Sequence, residues 1–134
     1  MKGLSGFNLP DHQEVISNFI YYIRVHIDNS GQEFEFSVAP ELRIKNSNFN
    51  NGSFIPDIVI KNEGNTWNQP EIIIEVSRNR GYLTDIKKVK RAVKNIRSLK
   101  EGFVFNNRQV KVVEFQSQTL KKTEKVIQKY LTLT

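Results

Sequence analysis

The chain has 134 residues, twenty Lys and Arg against fourteen Asp and Glu (net charge +6), and no cysteine. That length suits one domain with a substantial core, and the missing cysteines exclude disulfides and thiolate metal sites. No apolar run approaches the ~18 residues of a membrane span, and MKGLSGFNLP lacks the apolar segment of a secretory signal, so a cytoplasmic protein without membrane contact is expected. The positive balance favours polyanion partners through counterion release.

The sequence reads as a single domain over 1–134, with 1–10 as a loosely held lead-in. Ile16, Phe19, Ile20, Ile23 and Ile27 recur at helical spacing and predict a helix over 11–28. Asp11 is its expected cap and Glu14 the capping-box partner; Glu14 is also kept as an additional acid for a site. Tyr21 and Tyr22 are expected at the edge of the core. EFEFSVAPELRIK alternates over 33–45, and Pro40 predicts a long bent edge strand or two short ones. If this segment pairs with 54–60 around the Asn51-Gly52 turn, Glu41 falls near Asp57 as a third candidate acid.

Two apolar runs follow, FIPDIVI at 54–60 and PEIIIEV at 70–76, joined by KNEGNTWNQ, in which Trp67 is expected to plug the sheet end. They read as a hairpin. With Ile58 facing Ile74 and Ile60 facing Ile72, Asp57 faces Glu75. Directly opposed residues have Cβ atoms roughly 4.5–5.5 Å apart on one face. Two carboxylates that close repel unless a positive charge lies between them, and a divalent cation with oxygen ligands supplies it.

A polar turn carrying Arg78 and Arg80 leads to Thr84, the expected N-cap of a helix DIKKVKRAVKNIRSL. Its predicted buried face is Ile86, Val89, Val93 and Ile96. The remaining face is basic. Arg78, Arg80, Lys87 and Arg91 are the candidate contacts for a nucleic-acid backbone. Glu101-Gly102 is read as the break after this helix. A second hairpin, 103–105 with 110–115, and a final amphipathic helix over 119–131 complete the order α-β-β-β-α-β-β-α, an α/β sandwich.

Asp57 after Pro56, the apolar strand behind it, Glu75 closing the next strand and the helical crossover that follows resemble the PD-(D/E)XK, or restriction-endonuclease-like, nuclease superfamily. The resemblance covers about residues 11 to 115. It implies a mixed central sheet flanked by helices and metal-dependent hydrolysis of phosphodiesters, with DNA as the favoured substrate. Asp57 and Glu75 would hold Mg²⁺ or Mn²⁺, with the Val76 carbonyl as a further oxygen. The family pattern wants a lysine two residues after the second acid, where this chain has Ser77. Branches of the superfamily supply that lysine from the next helix, often after an aspartate. Thr84-Asp85-Ile86-Lys87-Lys88 offers Lys88 first and Lys87 second, with Asp85 read as a helix cap and, second, as a further acid of the site. Many such nucleases pair to cut two strands, so a homodimer stands beside nucleic acid among the expected partners. The alternative is a nuclease-like module that binds nucleic acid or a protein partner without catalysis.

Overall fold

The computed structural model describes residues 10–31, 35–49, 52–106 and 111–116. The helical stripe forms α1, Pro10–Asn29, and all five predicted apolar positions are buried. The helix starts one residue early. Proline's fixed φ suits a first helical position, so Asp11 is already helical rather than the cap. Tyr21 and Tyr22 are corrected from core edge to surface: Tyr21 is 62% exposed, and the two rings pack edge to face against each other.

The alternating segment splits at Pro40 into two short strands, β1 (Phe36–Pro40) and β2 (Ile44–Lys45). Glu41 makes the break with a left-handed φ of 44°, a conformation that non-glycine residues seldom adopt. The returning chain forms β3 (Ser53–Phe54), paired with β2, and β4 (Ile58–Asn62), paired with β1. β5 (Ile72–Ser77) pairs antiparallel with β4 in the expected register, Ile58 to Ile74 and Ile60 to Ile72.

A 3-10 turn over Asn79–Gly81 then feeds α2, Tyr82–Asn95. The helix begins two residues before Thr84, with Gly81 at the cap position and no side-chain cap bond. β6 (Glu101–Asn106) runs parallel to β5, and β7 (Lys111–Gln116) closes the other edge antiparallel to β6. The five-stranded sheet has the order β1-β4-β5-β6-β7.

Glu101 and Gly102 are corrected from helix break to buried strand. A Cβ at Gly102 would lie 2.5 Å from Val89 Cγ1 and 2.9 Å from Val93 Cγ2. The glycine lets α2 pack close onto β6, and Ala92, absent from the predicted face, is buried there too. The turn at 107–110 and the expected final helix lie outside the described residues.

Two cores sandwich the sheet. α1 covers Val38, Ile58, Ile60, Ile72, Ile74, Val76, Phe103 and Phe105, with Phe19 edge to face on Phe105 at 5.2 Å. On the opposite face α2 covers Val59, Ile73 and Val104, joined by Ile44 and Phe54 from the small β2–β3 sheet. Trp67 packs half-buried against this second core, with the Lys61 ammonium 5.0 Å from its ring centre. The architecture is an α/β fold with a mixed central sheet flanked by helices. Among the described residues, no helix is long and apolar enough to cross a membrane.

Candidate active site

The β4–β5 register brings the two acids together. Asp57 stands one residue before β4, so the ladder that pairs Ile58 with Ile74 sets it opposite Glu75. Asp57 Oδ2 accepts a 2.7 Å hydrogen bond from the Val76 N–H, which holds the carboxylate against β5. Side chains alternate across a strand. Ile74 and Val76 enter the α1 core and Ile73 the α2 core, so Glu75 and Ser77 share the α2 side with Ile73.

Glu75 is only 3% exposed. Burial, and next the adjacent Asp57 carboxylate, push its carboxyl well above the usual range, against the pull of Lys88. A like charge and loss of water both disfavour the ionised acid. Lys88 Nζ lies 3.0 Å from Glu75 Oε2. The contact is a close ion pair, mostly buried on the carboxylate side. Two further contacts aim Lys88: its Nζ donates to the Ile55 carbonyl at 3.3 Å and sits 5.2 Å from the Phe54 ring centre. The lysine that a helix contributes is therefore steered by the β3–β4 segment opposite.

Asp85 also enters the cluster. It precedes Lys88 by one helical turn, and residues three apart share a helix face. Burial raises its carboxyl; the neighbouring Ser77 hydroxyl lowers it, as does Lys88, while Asp57 raises it and His12 lowers it. Of the two readings the sequence allows for Asp85, cap and site acid, the surroundings fit the second, and the i, i+3 spacing to Lys88 is its signal. Ser77, two residues after Glu75, is fully buried, and its hydroxyl donates to the Arg78 carbonyl at 2.9 Å. His12, in the first turns of α1, was not singled out by sequence as part of the site.

The other candidates lie farther out. Glu14 and Glu41 are exposed, and neither is among the charges acting on Glu75 or Asp85. The Glu41 N–H does donate to the Asp57 carbonyl at 3.0 Å, so the chain passes beside the site while the side chain faces outward. Lys87, Arg80 and Arg91 are exposed and Arg78 is half-buried. Arg91 Nη2 donates to the Asn48 carbonyl at 2.6 Å.

Among the described residues, no three His, Cys, Asp or Glu side chains form a ready metal cage. Mg²⁺ does not need one: it is commonly held by one or two carboxylates and keeps several waters. The donor set here fits such an ion, because two carboxylates, Asp57 and Glu75, stand opposed across the ladder and close enough to act on each other.

No protein-family model matches the chain, and no curated protein matches it by sequence. In fold it is similar to a crystal structure described as "a putative nuclease belonging to DUF820 from Anabaena variabilis ATCC 29413". That likeness has a TM-score of 0.63 and covers 90% of this chain and 81% of the other, at 16% sequence identity. At such an identity the likeness is one of fold: a mixed sheet and its flanking helices shared with a protein described as a nuclease.

Proposed function

We propose that this chain is a metal-dependent nuclease of the PD-(D/E)XK kind that hydrolyses DNA phosphodiesters. The observation that carries the reading is the convergence of Asp57, Glu75 and Lys88 at one end of β5, with Lys88 Nζ 3.0 Å from Glu75. The shared fold with a protein described as a nuclease supports it. Asp57 and Glu75 would hold Mg²⁺ or Mn²⁺, and the bound ion would supply Lewis-acid charge and an activated water.

The chain's own residues do the rest. The Val76 N–H fixes Asp57 in place. Lys88 brings a positive charge and donor protons to the phosphoryl oxygens as negative charge grows on them. Phe54 and Ile55 hold its ammonium in position, so that little reorganisation is needed at the moment of reaction. Ser77 stands where the family motif puts its lysine, and Asp85 of α2 lies beside it. Arg78, Arg80, Lys87 and Arg91 provide positive surface for the backbone, and a second copy would allow both strands to be cut.

The test is cleavage of supercoiled, linear, branched and single-stranded DNA with Mg²⁺ or Mn²⁺. Wild type should cut at least one of these. Asp57→Asn and Glu75→Gln should each lower the rate about a thousand-fold while circular dichroism stays unchanged. Failure of wild type on every substrate would overturn the reading. Salt-sensitive DNA binding indifferent to metal and to both substitutions would instead point to a binding module without catalysis.

A further inference from the structure

Beside Lys88 the surface opens into a depression of about 300 Å³ between α2 and the small β2–β3 sheet. Thr84, Lys87 and Arg91 line it from the helix, spaced three and then four residues apart and so forming one stripe. Ser53 faces them from β3, Lys88 itself borders it on the site side, and Phe49 and Phe54 complete the lining, with their rings stacked at 4.9 Å and 9°. The wall is braced. Arg91 spans it, donating to the Asn48 carbonyl at 2.6 Å and lying 5.6 Å from the Phe49 ring centre. The Ser53 hydroxyl accepts from Arg43 at 2.8 Å and keeps its own proton to donate. Arg91 needs only part of its five-donor fork for Asn48. Lys87 is exposed at the rim.

We infer that this depression is a seat for a backbone phosphate of the nucleic acid, next along the strand from the phosphate that reacts beside Lys88. Lys87 and Arg91 supply the charge, and Ser53 and Thr84 supply neutral donors. The inference rests on the nuclease reading for the position of the reacting phosphate, and it goes further by selecting one stripe of α2. Lys90 and Lys94 are also exposed but do not line the depression, so the strand runs between α2 and the β2–β3 sheet rather than over the outer face of the helix.

The experiment measures binding of a short fluorescein-labelled DNA duplex by anisotropy, without divalent metal, across a salt series. Inorganic phosphate serves as competitor. Lys87→Ala should weaken binding about three- to ten-fold and lower the slope of log K against log salt by about one, as expected for one lost phosphate contact. Lys90→Ala and Lys94→Ala should each change binding less than about two-fold. Phosphate should compete against wild type more strongly than against Lys87→Ala. Equal losses for all three lysine variants would mean diffuse attraction and overturn the seat, as would a Lys87→Ala variant that binds like wild type. Cleavage is not read in this experiment. A chain that binds through Lys87 yet never cuts DNA loses the nuclease reading and keeps the phosphate seat; one that cuts but ignores Lys87 does the reverse.

Discussion

Along β5, Ile72, Ile74 and Val76 turn toward α1, whereas Ile73, Glu75 and Ser77 turn toward α2. Both sets are buried almost completely, so exposure does not distinguish them. On the first side the chain gains by hiding hydrocarbon. On the second, the last two positions hide a carboxylate and a hydroxyl, and Glu75 meets a second acid, Asp57. A buried carboxylate beside a like charge is unfavourable for folding. The contrast teaches that the α1 side is built for stability, and that the α2 side gives up stability at one end of the strand to keep charge where chemistry needs it.

The sharpest way to break this comparison is to exchange the outcomes of the two sides. Ile74→Ala should lower stability by about 2–5 kcal/mol through lost contacts and a cavity, read by urea denaturation. Glu75→Gln should do the opposite near neutral pH. The sign follows from linkage: the Glu75 carboxyl titrates higher folded than unfolded, so between those two values the folded chain binds more protons. Stability then falls as pH rises through that window. Wild type should lose stability from above the ordinary glutamate range upward, and Glu75→Gln should flatten that decline. A parallel decline in both proteins would remove Glu75 as its cause.

A smaller effect sharpens the account of Lys88. Phe54→Leu keeps an apolar side chain but removes the ring lying 5.2 Å from the ammonium. DNA cleavage should slow about three- to thirty-fold, in line with one partly desolvated cation–π contact, and DNA affinity in the absence of metal should fall by much less. Phe54→Tyr should restore most of the rate. Matched losses in affinity and rate would make Phe54 a packing residue and nothing more.

The acid pair was legible in the sequence because strand pairing has a period of two: once Ile58 faces Ile74, Asp57 must face Glu75. The α1 stripe was legible because five large residues repeat at helical spacing. What stayed hidden depends on approach distances that no local pattern encodes. Gly102 has the composition of a break, and only the packing of Val89 and Val93 against it shows a strand. Thr84 has the composition of a cap, but the 3-10 turn at Asn79–Gly81 starts the helix earlier. That earlier start places Thr84 along the helix, on the stripe that lines the depression, and Asp85 in the first turn beside Ser77. Glu41 lies near Asp57 in sequence pairing, yet its left-handed backbone accompanies an outward-facing side chain.

The measurement that bears most directly on a cation shared by Asp57 and Glu75 is the melting temperature during titration with Mn²⁺. A ligand that binds only the folded chain stabilises it by about 2.7 kcal/mol at a hundred times its Kd. Wild type should therefore melt several degrees higher at saturating Mn²⁺, and Asp57→Asn and Glu75→Gln should show no such rise. A wild-type melting point indifferent to Mn²⁺, or an equal rise in the two variants, would contradict the shared seat.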